Sequence, residues 1–142
     1  MAKLAFEIEE RIRDSFAQQT MMSSLGVEMA EVRHGGVTLV APVGEAFRQQ
    51  QGFAHGALIF ALGDVAAGYA ALSVMPMEVE VMTVEMKINL MAPGAHRLVA
   101  EGRVLKPGRR LVVVVADVWD EDGKGGRKQI AALQGTMIPV EK

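Results

Sequence analysis

The chain predicts an α+β fold: an antiparallel sheet wrapped around one long internal helix, with a further amphipathic helix in front. Three observations lead there. The segment Gly56 to Val74 is apolar nearly all round and dominated by Ala and Leu, the composition of a helix buried on most of its sides. From Met82 to Ile138 the pattern changes to strands separated by turns and stays so. The 142 residues, 50% of them hydrophobic, suit one compact domain over 1–142. A chain of this length buries roughly 68% of the surface it exposes when unfolded.

The elements follow in order. Leu4, Ile8, Ile12 and Phe16 recur at helical spacing, while Glu7, Glu9, Glu10, Arg11 and Arg13 occupy the other faces, which predicts an amphipathic helix over residues 1–19. Val27 to Arg33 and Val37 to Val43 read as two strands of a hairpin, turned by His34-Gly35-Gly36. The polar loop FRQQQGF leads into His55 and the buried helix, whose small residues let a curved sheet close tightly and which Pro76 ends. In the next strand Met82, Val84, Met86, Ile88 and Leu90 alternate with Thr83, Glu85, Lys87 and Asn89, giving one core face and one polar face. Pro93-Gly94 turns into a strand over Leu98 to Leu105, and Lys106-Pro107-Gly108 turns into the Val-rich run Leu111 to Trp119, which reads as central. A turn over Asp120 to Gly126 precedes the closing strand, Lys128 to Ile138.

Composition excludes several classes of function. With no Cys, disulfides, thiolate metal sites and a cysteine nucleophile are absent together. His34, His55 and His96 are scattered and lack the spacing of zinc ligands, so no metal is expected. A net charge of −2 carries no electrostatic footprint for a nucleic-acid backbone. The apolar stretch Ala57 to Met77 has the ~20 residues of a bilayer span, yet Asp64 sits at its middle. The N-terminus is charged and without an apolar run, so a cytoplasmic protein with no membrane partner is the expectation. Gly123-Lys124-Gly125-Gly126 lacks the strand and helix that flank a phosphate loop and reads as a turn.

Asp64 is the residue that demands explanation. A carboxylate within an apolar helix must be paired, solvated through a cleft or protonated, because burying it bare costs several kcal/mol; it either serves chemistry or touches solvent at a gap in the sheet. His55-Gly56 opens the same helix. The free amides of a first helical turn can hold an oxygen that becomes negative, and Gly56 lets a substrate approach them. Gly56 and Asp64 lie ~12 Å apart along a helix rising 1.5 Å per residue. One chain therefore cannot easily bring both to one reacting carbon; two chains with antiparallel helices across a shared cleft can.

The strings QQQGFAHGALIFALGDVAAGYA and TVEMKINLMAPG resemble the signature of hotdog-fold acyl-CoA thioesterases, specifically the phenylacetate-degradation (PaaI-like) branch. The likeness spans about residues 22–140 and includes that family's fixed spacing from motif histidine to aspartate. It implies a long helix wrapped by an antiparallel sheet, self-association as dimers or tetramers, active sites at the dimer interface, acyl-CoA as substrate, and no cofactor beyond the coenzyme A of the substrate. By position, Asp64 matches the catalytic carboxylate, Gly56 the residue whose N–H polarises the thioester carbonyl, and His55 the motif histidine. Gln49 falls where relatives often have Asn, and Thr83 where a hydroxyl helps hold the attacking water. Two departures stand out: Ala57 replaces the second glycine of the motif, and Gln49 reaches one methylene further than Asn, so that Gln50 can stand in for it.

With neither Cys nor a G-x-S-x-G elbow, thioester attack falls to water or a carboxylate. Asp64 can act as general base or, through a mixed anhydride, as nucleophile. His55 either transfers protons or simply fixes the loop before the helix. Strict alternation turns Thr83 away from the core face, so it reaches a cleft only through a bulge or at an interface. Met82, with Met75 and Met77, is close enough in sequence to the helix end to line an acyl pocket. Arg109 and Arg110 form either a solvated hairpin tip or a local positive patch for the phosphates of coenzyme A. Two other classes compete with the thioesterase: a non-catalytic acyl-CoA-binding or regulatory module, and a hotdog hydratase or dehydratase.

Overall fold

The computed structural model describes residues 4–142. Its elements are α1 (Phe6–Ala17), α2 (Thr20–Leu25), β1 (Glu28–Arg33), β2 (Gly36–Pro42), a 3-10 turn (Glu45–Phe47), α3 (Gly56–Leu72), β3 (Val79–Leu90), β4 (Arg97–Lys106), β5 (Val112–Glu121) and β6 (Arg127–Glu141). The six strands form one sheet in the order β1-β2-β4-β5-β6-β3, antiparallel at every pairing. The sheet curls around α3, which packs against β2, β3, β4, β5 and β6. The α+β layout read from the sequence is the one observed.

Small residues allow that curl. A Cβ on Gly102 of β4 would stand 2.4 Å from the Ala66 carbonyl carbon of α3, so glycine is what lets strand and helix backbones meet. Ala66, Ala67, Ala70 and Ala71 are fully buried beneath the sheet. β5 is central, as its Val-rich run predicts, although it alternates: Val112, Val114, Ala116 and Val118 are buried against the helix side and the intervening residues are half-buried.

The predicted N-terminal helix forms α1, and the first residues of the 1–19 range lie outside the described ones. Ile12 is fully buried, with Ile8 and Phe16 packed on the core. Arg11 fixes the helix by donating to the carbonyls of Pro76 (2.9 Å) and Val79. The short helix α2 has no counterpart in the sequence reading. It buries Met22 and Leu25 and ends at Gly26, whose φ of 71° is the left-handed cap that glycine favours.

β3 departs from the expected alternation. Its register against β6 slips between Thr83 and Glu85, so Val84 is the extra residue of a β-bulge that reverses the faces on either side. Val81, Met86 and Ile88 pack on the core, whereas Met82, Val84 and Leu90 are about half exposed, at 50%, 54% and 56%. The expectation of Met82, Val84 and Leu90 on the core face is therefore wrong, and the bulge is the reason for the first two. β3 is also an edge strand, open to solvent along one side.

Candidate active site

The site starts at the N-terminus of α3. His55 caps the helix in extended conformation (φ −63°, ψ 140°), and its Nδ1 accepts the Ala57 N–H at 2.9 Å. The His55 carbonyl accepts the N–H groups of Leu58 and Ile59 at 3.0 and 3.2 Å. Among the described residues the Gly56 N–H has no acceptor, so it is the first-turn donor left open to a ligand. Of the two roles open to His55, fixing the start of the helix is the one visible in its bonding, which makes its Nδ1 a hydrogen-bond acceptor.

Gly56 faces a cavity of about 360 Å³ that also touches Gln49, Phe53, Ile59, Leu90 and Met91. Gln49 reaches it, but its Oε1 is engaged by the N–H groups of Gln51 (2.6 Å) and Phe53 (3.2 Å), so the side chain shapes its own loop. Gln50 is exposed and outside this cavity. Ala57 turns to a separate apolar cavity of about 330 Å³ bounded by Met21, Leu25, Phe47, His55 and Leu58. The turn that leads into β4 is tied down by Asp120, a buried carboxylate that accepts from the Ala95 N–H (3.0 Å), the His96 N–H (2.9 Å) and the His96 ring (3.0 Å). Burial opposes ionisation there, yet these bonds hold the Asp120 carboxyl below its ordinary range. The adjoining Gly94 carbonyl accepts the Ala54 N–H at 2.8 Å, which links this turn to the residues just before His55.

Asp64 lies further along α3, half-buried. The bulge in β3 turns Thr83 inward, and its hydroxyl donates to Asp64 Oδ1 at 2.9 Å; Met137 Sδ lies 3.2 Å from the Thr83 hydroxyl. Burial pushes the Asp64 carboxyl above its ordinary range, and the Thr83 bond opposes that in part. The cavity beside it, about 200 Å³, is bounded by Ser15, Gln19, Gly68, Tyr69 and Glu80 among others. Ser15, Gln19, Tyr69 and Glu80 were not singled out in the sequence. The available signal was the chain's one Tyr, five positions after the aspartate.

Asp64 and Gly56 thus open on different cavities of one chain, as their spacing along the helix predicts. Both border the edge strand β3: Gly56 stands against Leu90 and Asp64 against Thr83. Met82 lies on the outward side of β3 and lines neither cavity, because of the bulge. Arg109 and Arg110 are exposed in the β4–β5 turn and reach neither cavity. Among the described residues no group of three His, Asp or Glu is placed to hold a metal, and no helix is long and apolar enough to cross a membrane.

Comparison with known proteins decides the family. The model of the thioesterase superfamily matches residues 51–126, more than half of the chain and the stretch that holds both His55-Gly56 and Asp64. The chain belongs to the thioesterase superfamily. Its enzyme class is that of a hydrolase acting on thioesters. A thioesterase family protein from Silicibacter pomeroyi is 36% identical and superposes with a TM-score of 0.91 over 95% of this chain and 99% of its own. A Saccharolobus solfataricus protein named as a candidate esterase is 33% identical over 111 residues, 76% of this chain and 77% of that protein. The E. coli PaaI protein from the phenylacetic acid degradation operon, 18% identical, shares the fold with a TM-score of 0.86 over 96% of both chains. The architecture is the hotdog fold that the sequence resemblance implied.

Proposed function

We propose that the protein is a cytoplasmic acyl-CoA thioesterase that works as a dimer or tetramer, with each active site shared between two copies. The observation that carries this reading is the pairing of two features along one open edge: the half-buried Asp64 carboxylate bonded to Thr83, and the Gly56 N–H at a helix start, which has no acceptor among the described residues. β3 offers a second copy its unpaired backbone and the exposed side chains of Met82, Val84 and Leu90. A two-fold, antiparallel pairing of β3 with its equivalent would bring Gly56 of one copy toward Asp64 of the other.

The chemistry follows. The thioester carbonyl oxygen accepts the Gly56 N–H, whose position at the positive end of α3 favours the negative charge that develops there. Thr83 and Asp64 hold a water, Asp64 takes its proton, and the hydroxide adds to the carbonyl carbon. Collapse of the tetrahedral intermediate breaks the C–S bond, and the proton held by Asp64 passes to the departing sulfur, which releases the acid and coenzyme A. Direct attack by Asp64, followed by hydrolysis of a mixed anhydride, uses the same residues. The scheme draws on water alone besides the acyl-CoA.

The test is thiol release from a panel of acyl-CoAs, followed with a thiol reagent, by the wild type and Asp64→Asn. Release that falls by orders of magnitude in the variant, with the oligomer intact, supports the reading. Binding without release would favour the non-catalytic module, and loss of enoyl absorbance the hydratase; either result overturns it.

A further inference from the structure

Resting on the reading of Asp64 as the group at the reacting carbonyl, we infer that the N-terminal helix α1 closes the acyl pocket and limits acyl length, with Ser15, Gln19 and Tyr69 as its end wall. The cavity beside Asp64 is bounded by Ser15 near the end of α1, by Gln19 just after it, and by Gly68. Its volume of roughly 200 Å³ is below the ~300–1,000 Å³ of pockets that enclose whole ligands, which suits acyl groups of short to intermediate length. Among the described residues no cation lines it, and Glu80 stands at it. A cavity with two carboxylates and no positive charge repels phosphate, so the acyl end of the substrate belongs here and the nucleotide end elsewhere.

The end wall is held by hydrogen bonds. The Tyr69 hydroxyl lies 2.9 Å from Ser15 Oγ and 2.8 Å from Gln19 Nε2, on a residue only 5% exposed. A longer acyl chain has to displace Gln19 and leave a buried hydroxyl short of a partner, a loss large enough to cost about tenfold or more in binding. Nor does the wall swing aside freely: Arg11 ties α1 to the carbonyls of Pro76 and Val79, Ile12 is fully buried, and Phe16 meets Tyr69 edge-on with ring centroids 6.1 Å apart.

A series from acetyl-CoA to decanoyl-CoA tests the inference through kcat/KM. For the wild type the optimum falls at hexanoyl or shorter, with a drop of about tenfold or more by decanoyl. Gln19→Ala opens the wall and moves the optimum to longer chains, while the exposed neighbour change Gln18→Ala leaves the profile as it was. Tyr69→Phe, which keeps the ring and removes the hydroxyl, raises the decanoyl-to-hexanoyl ratio even should Gln19→Ala fold poorly by its melting temperature. A wild type that hydrolyses decanoyl-CoA as well as hexanoyl-CoA, or a profile that both folded variants leave unchanged, overturns the length limit and leaves the thioesterase reading in place. No turnover of any acyl-CoA by the wild type overturns both.

Discussion

Gly56→Pro removes the N–H that the proposed site depends on and changes little else. Gly56 is the first residue of α3, the one helical position where proline fits without loss. His55 before it, at φ −63° and ψ 140°, already has the extended backbone that a following proline requires. No protein hydrogen bond is lost, since the Gly56 N–H has no acceptor among the described residues. The added Cβ meets Leu90 Cδ1 at 3.0 Å, the flexible end of a half-exposed side chain that can give way. Folding stability should therefore change by about 1 kcal/mol or less. The loss of one oxyanion donor costs ~10²–10³ in kcat, about 3–4 kcal/mol of transition-state stabilisation. Gly56→Ala is the control, because it adds the same Cβ and keeps the N–H. Thiol release at saturating acyl-CoA separates the two, with melting curves to confirm the fold. A folded Gly56→Pro enzyme whose kcat stays within about threefold of Gly56→Ala, far short of an oxyanion-donor effect, refutes the role given to this amide.

Three other outcomes follow from the same geometry. Asp64→Asn keeps an acceptor for the Thr83 hydroxyl and loses the base, so kcat falls by ~10²–10⁴ while the melting temperature at pH 7 is no lower than that of the wild type. Burial raises the folded-state pKa of Asp64 above its ordinary 3.8, so the wild type loses stability as pH rises through that raised value. The melting advantage of the Asn variant should vanish in acid, and the acid limb of the wild-type kcat/KM profile should lie above pH 3.8. His55→Ala deletes the α3 cap and should cost about 1 kcal/mol in urea unfolding, with His55→Asn restoring most of it. Gly102→Ala forces a Cβ to 2.4 Å from the Ala66 backbone and should destabilise the fold by about 1–3 kcal/mol or more, readable in the same unfolding experiment.

Much of this was legible in the residues, for physical reasons that differ by element. The nearly unbroken apolar composition of α3 admits no other place than the centre of the fold, and the strands after it announce themselves by turns. Asp64 stands out because a carboxylate there has to be accounted for, and Gly56 because a helix start leaves donors open. The inward turn of Thr83 was not legible: an alternating pattern looks the same with or without one extra residue, and the bulge at Val84 shows only in the pairing of β3 with β6. For that reason Met82 read as a core or pocket residue and lies outside. The wall made by Ser15, Gln19 and Tyr69 joins Tyr69 to positions 54 and 50 residues before it, a contact that no local pattern encodes. His55 read two ways, and its ring bond to the Ala57 N–H shows the quieter one at work.

A mixing experiment bears most directly on the claim that two copies build each site. Asp64→Asn and Gly56→Pro chains, each inactive alone, are combined in equal amounts by co-expression or joint refolding, and thiol release is measured. Half of the resulting two-fold dimers are mixed, and each mixed dimer carries one site with both groups intact, so about a quarter of wild-type kcat should return. Activity no greater than the sum of the two separate variants, with mixed dimers present, would contradict a shared site and place Asp64 and Gly56 in the site of a single chain.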